Sequence, residues 1–307
     1  PPRSTLFPYT TLFRSYSYEE FMEGITAHTE KEGVPTEKIQ YKLKAGIFKE
    51  MCKRALASAI GYDLKINSTW KEVFGDYQTK IESGKEIDFE NTKKYLLIID
   101  EINRGDISKI FGELITLLES DKRLGSDNAL IVKLPYSNDL FGVPPNLYII
   151  GTMNTADRSI ALIDVALRRR FGFKELMPDF ELVTKYVEEK KDEFEDGVYD
   201  LVTDSIACVK IINKRICEER TVGRDKQIGH SYFFTIKETN DIIRVWQNEI
   251  LPLLEEYCYG NYEKISDLLL REESNNWINK VDGIKEFSSS EDLKSFLKEI
   301  IESGKNE

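Results

Sequence analysis

The sequence predicts an α/β protein in which a parallel sheet is followed by a helical domain. Two continuous apolar runs, at 96–99 and 147–150, each end in polar residues, which is typical of parallel strands covered on both faces. From residue 179 to residue 270, apolar residues recur at spacings of three and four, which predicts helices. Ligands bind at the carboxyl ends of the strands in open parallel sheets, so the polar residues after the two runs form the candidate site.

The first apolar run ends in two adjacent acids, Asp100 and Glu101. Such a pair suits two tasks in nucleoside triphosphate hydrolysis. The first acid holds Mg²⁺ through water, and the second orients and polarises the attacking water. Solvated acids at the end of an ordinary strand are the alternative, and the acid pair alone does not decide between the two.

The second apolar run is followed by an amide, Asn154, and further along by three consecutive arginines, Arg168, Arg169 and Arg170. If the two strands are neighbours, the amide lies beside the acids, where it can bond the γ-phosphate or the attacking water without adding negative charge. An arginine in this segment can reach a phosphate in a neighbouring subunit and stabilise the charge that develops there. A solvated basic turn is the alternative.

Four strings carry a resemblance to a known family: Asp100-Glu-Ile-Asn-Arg104, Met153-Asn-Thr-Ala-Asp-Arg-Ser159, Ala166-Leu-Arg-Arg-Arg-Phe171 and Ile228-Gly-His-Ser-Tyr-Phe233. Together they resemble the McrB family, the AAA+ motor subunits of modification-dependent restriction systems. The resemblance spans residues 15–270. It implies that Asp100 and Glu101 are the Walker B pair and that Asn154 is sensor 1.

The resemblance also implies the remaining site residues, the fold and the partners. The fold is an AAA+ P-loop NTPase-type parallel sheet plus an α-helical lid, and the activity is GTP or ATP hydrolysis with Mg²⁺. The implied partners are further copies in a hexameric ring, a McrC-like endonuclease subunit, and DNA through a separate N-terminal domain. The implied nucleotide-binding residues are Asp100, Asn103, Arg104, Asp157, Arg158 and Asp164, and the inter-subunit arginines lie within Arg168–Arg170.

Two other functions stay open. One is a MoxR-like or dynein-related ATPase that remodels proteins, and the other is a scaffold subunit that occupies a ring without hydrolysing nucleotide. A phosphate-binding loop upstream of Ser15 would favour a motor over the scaffold.

A phosphate-binding loop of the form G-x-x-x-x-G-K-[ST] is missing from the sequence. In the family this loop precedes the Ser-Tyr-Glu-Glu-Phe string, which ends here at Phe21. We therefore expect an N-terminally truncated chain that is inactive by itself and lacks the phosphate-loop strand. In the family's sheet order that strand separates strand 147–151 from a strand expected at 171–176, so we expect a gap there and exposed edges that promote aggregation.

Spacing and composition also predict the domain organisation. Residues 1–15 resemble a non-native adaptor or vector segment, 16–177 a partial AAA+ core, 178–270 the lid, and 271–307 a weakly ordered polar tail with one late helix. A β-hairpin is predicted around Ser137-Asn138, and a helix over 46–60 ends at Gly61.

Composition excludes several function classes. The chain has 307 residues and a net charge of −11, which argues against a surface dedicated to nucleic acid. Its four cysteines form no Cys-x-x-Cys pair and only two histidines are present, so a zinc site is not expected. No apolar run approaches the length of about 18 residues that a transmembrane helix needs. We expect a cytoplasmic protein without a membrane anchor.

Overall fold

The computed structural model describes residues 17–29, 39–154, 165–271, 276–279 and 283–305. The chain divides into two compact units, Pro1–Phe173 and Lys174–Glu307. The described elements of the first unit are α1 (Tyr18–Phe21), β1 (Glu23–Thr29), β2 (Ile39–Ala45), α2 (Ile47–Ile60), α3 (Trp70–Glu82), β3 (Tyr95–Ile99), α4 (Ile107–Phe111), β4 (Val132–Lys133), β5 (Leu140–Phe141), β6 (Leu147–Gly151) and α5 (Val165–Arg168), with short 3₁₀ turns between some of them.

The site-bearing sheet of the first unit pairs β3 with β6 in parallel, from Tyr95 opposite Leu147 to Ile99 opposite Gly151. The expected adjacency of the two apolar runs is therefore confirmed. One face of this sheet packs toward α2, and Leu97 and Leu147 are buried there. The opposite face leaves Tyr148 and Ile150 about half exposed. The prediction of strands covered on both faces is therefore wrong for the described residues, which cover one face only.

Helices α2 and α3 supply most of the helical side of this core. Glycine suits the end of α2 because Gly61 adopts a left-handed conformation with φ 67° and returns its N–H to the last turn. Thr69 caps α3 in a reciprocal capping box with Glu72. Side chains on one face of each helix are buried, namely Phe48, Met51, Cys52, Ala55 and Leu56 on α2, and Trp70, Val73, Phe74 and Tyr77 on α3.

The β-hairpin predicted around Ser137-Asn138 is confirmed as β4–β5. A buried ionic network joins it to the β1–β2 hairpin. Lys49 Nζ lies 2.7 Å from Glu23 Oε2 and 2.9 Å from Asp139 Oδ2. The other carboxylate oxygen of Glu23 accepts the backbone N–H groups of Tyr136 and Ser137 at 3.0 and 2.9 Å. The turn of the second hairpin is therefore held against the base of the first.

The second unit is helical, as predicted. Its described elements are α6 (Phe180–Glu189), α7 (Val198–Glu218), α8 (Thr239–Arg244), a π-helical turn (Val245–Ile250), α9 (Leu251–Tyr257), α10 (Tyr262–Leu270), β7 (Ile278–Asn279), β8 (Gly283–Ile284) and α11 (Ser290–Gly304). The long helix α7 runs through its core, and Val202, Val209, Ile212 and Ile216 are buried.

Two sequence-based expectations require correction. The helix near the end of the chain belongs to the core of the second unit and is not part of a weakly ordered tail, because Leu293, Phe296, Leu297 and Ile300 of α11 are fully buried. The strand expected at 171–176 is absent, because these described residues make no ladder hydrogen bonds. The gap predicted between two such strands therefore has no counterpart in the structure.

Two further features concern the surface and the thiols. Within the described ranges, no helix combines the length and apolar character needed to cross a membrane. None of the four cysteines is in a disulfide; three are buried, and Cys217 is exposed.

Candidate active site

The candidate site lies where β3 and β6 end side by side. Two backbone bonds extend the parallel ladder past the strands: the N–H of Thr152 donates to the carbonyl of Ile99, and the N–H of Ile102 donates to the carbonyl of Thr152, both at 2.9 Å. Asp100 follows β3 directly and Asn154 lies three residues after the end of β6; both are exposed. The structure therefore brings the acid pair and the amide to one edge of the sheet, as the sequence predicted.

Asp100 is held by a residue that the sequence analysis did not single out. The hydroxyl of Thr152 donates a short hydrogen bond to Asp100 Oδ1. The second carboxylate oxygen of Asp100 accepts no hydrogen bond from the described residues, so it remains available to a ligand. A hydroxyl residue at the end of a strand, two residues before Asn154, is the signal available in the sequence, but only the pairing of the strands shows which groups this hydroxyl bonds.

Glu101 adopts an unusual backbone conformation and is ion-paired. Its φ and ψ are 50° and 48°, in the left-handed region that residues other than glycine rarely adopt. Strain of this kind concentrates at functional sites. The Glu101 carboxylate lies 2.5 Å from Arg104 Nε, and both side chains are about one-third exposed. In this arrangement the acid faces a cation from its own loop.

Asn103 connects the acidic loop to the amide segment. Its side-chain Nδ2 donates to the backbone carbonyl of Asn154 at 3.3 Å. Asn103 Oδ1 is buried and has no hydrogen-bond partner among the described residues. Asn103 therefore ties the two loops together at the sheet edge and has one acceptor left unused.

The three consecutive arginines differ in their surroundings. Arg170 Nη2 lies 2.9 Å from Glu119 Oε1, and its side chain is only 16% exposed. Arg168 and Arg169 are exposed and make no ion pair with any described residue. The structure thus separates one arginine with a partner inside its own unit from two that face solvent.

Three predicted site residues, Asp157, Arg158 and Asp164, lie outside the described residues, and their roles stay predictions. In the second unit, His230 Nδ1 accepts the backbone N–H of Asp179 at 3.0 Å. This is the structural hydrogen-bonding role that is commonest for an isolated histidine.

Two models of known protein families match the chain. The model of the AAA domain, dynein-related subfamily, matches residues 36–171, which include both strand ends of the site. The fold is therefore that of an AAA domain. The model of the McrB alpha-helical lid domain matches residues 204–266, within the helical second unit.

Two curated relatives refine this class. The Type IV methyl-directed restriction enzyme EcoKMcrB subunit of Escherichia coli (strain K12) is 33% identical over 259 residues, which cover 81% of this chain and 46% of that protein. The Type II restriction enzyme BsuMI component YdiS of Bacillus subtilis (strain 168) is 28% identical over 198 residues, covering 62% and 56%. The chain spans about half the length of these relatives. It belongs to the McrB-like AAA proteins.

Proposed function

We propose that this chain forms the catalytic edge and the lid of a nucleoside triphosphatase, GTP- or ATP-hydrolysing, that acts as the motor subunit of a modification-dependent DNA restriction system. The observation that carries the proposal is the meeting of Asp100, Glu101 and Asn154 at the ends of two directly paired parallel strands. Acids and an amide at such an edge match the requirements of phosphoryl transfer to water, which depends on positioning and electrostatic stabilisation.

Mg²⁺ fits the donor set at this edge. Asp100 offers a carboxylate oxygen that no described residue engages, and hard cations prefer oxygen ligands. No group of three or more potential ligands among His, Cys, Asp and Glu occurs in the described part of the chain. Mg²⁺ is bound through one or two carboxylates, waters and substrate phosphates and seldom by an all-protein cage. Asp100 would hold the ion through water, and the ion would neutralise charge on the phosphates.

Glu101 is the residue proposed to orient and polarise the attacking water. Its carboxylate is paired with Arg104, so the acid becomes free to act when Arg104 turns to another anion such as a nucleotide phosphate. Asn154 would bond the γ-phosphate or the attacking water. Asn103, Arg104, Asp157, Arg158 and Asp164 complete the proposed nucleotide-binding set.

The arginine that acts across the subunit boundary is proposed to be Arg168 or Arg169. Both are exposed, and a guanidinium that serves a neighbour's phosphate must be able to leave its own surface. Arg170 forms an ion pair with Glu119 inside its own unit. A homo-oligomeric ring, hexameric by the family resemblance, follows from this proposal. A McrC-like endonuclease subunit, DNA contact through a separate N-terminal domain and a cytoplasmic location remain predictions of the resemblance.

Glu101→Gln in the full-length protein tests the hydrolytic proposal. The amide keeps the shape of the acid and removes the charge that polarises water, so we expect nucleotide binding to be retained and turnover to fall by about 10²–10⁴-fold. The measurement pairs steady-state phosphate release with equilibrium binding of a labelled nucleotide. Wild-type turnover in this variant would remove Glu101 from the mechanism.

A protein-remodelling ATPase is the second candidate, favoured by the dynein-related character of the AAA-domain match. The McrB-type lid match supports the restriction role instead. Nucleotide hydrolysis that responds to an endonuclease subunit and modified DNA separates the two, because a remodelling ATPase would respond to a protein substrate.

A further inference from the structure

The hydroxyl of Thr152 contacts both members of the acid pair. It donates to Asp100 Oδ1 and accepts the backbone N–H of Glu101 at 3.0 Å. The direction of both bonds is fixed, because an ionised carboxylate only accepts and a backbone N–H only donates. One side-chain atom therefore contacts both residues to which the proposed function gives different tasks, through the carboxylate of Asp100 and the backbone of Glu101.

The position of this hydroxyl is set by the backbone. Thr152 exchanges two hydrogen bonds of 2.9 Å with the facing chain, one to the carbonyl of Ile99 and one from the N–H of Ile102. These partners immediately flank the acid pair in sequence. These two bonds fix the position of Thr152 relative to Asp100 and Glu101, and its side chain lies between the ends of β3 and β6.

The bond to Glu101 coincides with the strained residue of the site. Glu101 has left-handed dihedral angles, and such conformations persist only where surrounding contacts over-determine them. The N–H of Glu101 does not continue the strand ladder and is satisfied by the Thr152 hydroxyl. This contact turns the chain out of β3 at the residue whose carboxylate must face the attacking water.

We propose that Thr152 is a positioning residue for nucleotide hydrolysis, which orients Asp100 through a side-chain bond and Glu101 through a backbone bond. The inference rests on the proposed function and adds to it a residue for which no role in the reaction has been assigned above. Threonine is also a favourable residue in strands for its shape alone. Valine has that same shape, so it separates the two explanations.

Two variants of the full-length protein test the proposal. Thr152→Val replaces the hydroxyl by a methyl group and removes both contacts, whereas Thr152→Ser keeps the hydroxyl. Groups that orient the residues around a metal site change activity by about 10–100-fold when they are removed. We expect kcat to fall by about that factor in the valine variant and to be largely retained in the serine variant. KM for nucleotide and the melting temperature should change little, because Thr152 is exposed.

Amide hydrogen exchange at Glu101 gives a readout that does not depend on turnover. Loss of the acceptor should speed exchange of this amide by about tenfold in the nucleotide-free valine variant, in line with the net value of one hydrogen bond. The serine variant should match the wild type. Other amides of the same sheet serve as internal controls.

The proposal is overturned if the valine variant hydrolyses nucleotide at the wild-type rate, or if the serine variant is as impaired as the valine variant. It is also overturned if kcat falls only in step with the melting temperature. If the wild-type protein hydrolyses no nucleotide, the proposed function fails, and the exchange rate of the Glu101 amide still decides whether Thr152 holds the acid pair.

Discussion

Replacing Lys49 by methionine should destabilise the first unit more than any surface charge change. The Lys49 and Glu23 side chains are 5% and 0% exposed, and Asp139 is 17% exposed, so removal of the ammonium group leaves a fully buried carboxylate and a largely buried one without their shared cation. Breaking a buried ion pair from one side costs about 3–5 kcal/mol. Methionine is unbranched and lacks only the terminal atom of the lysine side chain, so the loss reports mainly on the charge and only slightly on a cavity.

Urea denaturation followed by the fluorescence of Trp70 measures this effect. Trp70 is the single tryptophan of the first unit, and its indole N–H donates to the carbonyl of Leu140 at 2.7 Å, beside the anchored hairpin. Lys109→Met is the matched control, because Lys109 pairs with Asp106 while 85% exposed. Exposed pairs contribute about 0.2–1 kcal/mol. Equal losses of unfolding free energy in Lys49→Met and Lys109→Met would refute the assignment of a buried ionic network to Lys49, Glu23 and Asp139.

A double variant and the pH dependence sharpen the test. Burial raises the pKa of Glu23, but hydrogen bonds from Lys49 and Ser137 outweigh it and hold the pKa below its usual value. A lowered pKa stabilises the fold above the unfolded value of about 4.3, and this contribution is lost as the pH falls through the folded pKa. The difference in unfolding free energy between the wild type and Lys49→Met should therefore become smaller in acid. Glu23→Gln combined with Lys49→Met should recover much of the loss, since glutamine still accepts the hairpin amides.

Three further predictions concern the arginines and the second unit. Arg168→Ala or Arg169→Ala subunits, inactive alone, should regain turnover when they are mixed with Glu101→Gln subunits, whereas Arg170→Ala subunits should hydrolyse nucleotide without mixing. Rescue confined to Arg170→Ala would contradict the assignment of the inter-subunit role to Arg168 or Arg169. Arg215→Met should cost about 2–4 kcal/mol of unfolding free energy, because the buried guanidinium donates to the carbonyls of Leu268 and Leu269 and bonds from charged donors contribute about 1.5–3 kcal/mol each. Lys214→Met, at an exposed position of the same helix, is the control, and equal melting temperatures of the two variants would count against this role of Arg215. Burial, aided by the charge of Asp200, raises the pKa of Asp204, so Asp204→Asn should increase the unfolding free energy at neutral pH. This increase should disappear as the pH falls from the raised pKa of the folded state toward the pKa of the unfolded state, and an increase that persists in acid would exclude the raised pKa as its cause.

The sheet edge was predictable because its signals are local. An uninterrupted apolar run is enough to indicate a strand of a parallel sheet, although only one face of β3 and β6 is covered in the described residues. Polar residues that follow two such runs come close together if the strands pair in parallel. That reasoning placed Asp100, Glu101 and Asn154 together, and the direct pairing of β3 with β6 confirms it. It did not find Thr152, because the role of a hydroxyl depends on register across strands, which spacing along one strand does not reveal.

The misassigned regions failed for a different reason. In α11, Leu293, Phe296, Leu297 and Ile300 have helical spacing, but the surrounding acids, serines and lysines gave the segment the composition of a solvated tail. The β1–β2 hairpin was not predicted at all. Its alternating Tyr41-Lys-Leu-Lys44 is exposed throughout, so no buried face marked it. Whether such segments fold depends on contacts with distant parts of the chain.

The most direct test of the catalytic edge is a structure of the full-length protein with Mg²⁺ and a non-hydrolysable triphosphate analogue. We predict that the terminal phosphate lies at the carboxyl ends of β3 and β6, with Asp100 on the water shell of the ion and Asn154 beside the phosphate. We also predict that Arg168 or Arg169 of an adjoining subunit approaches the same phosphate. A terminal phosphate bound away from this strand edge, with Asp100 and Asn154 both free of it, would contradict the proposed site.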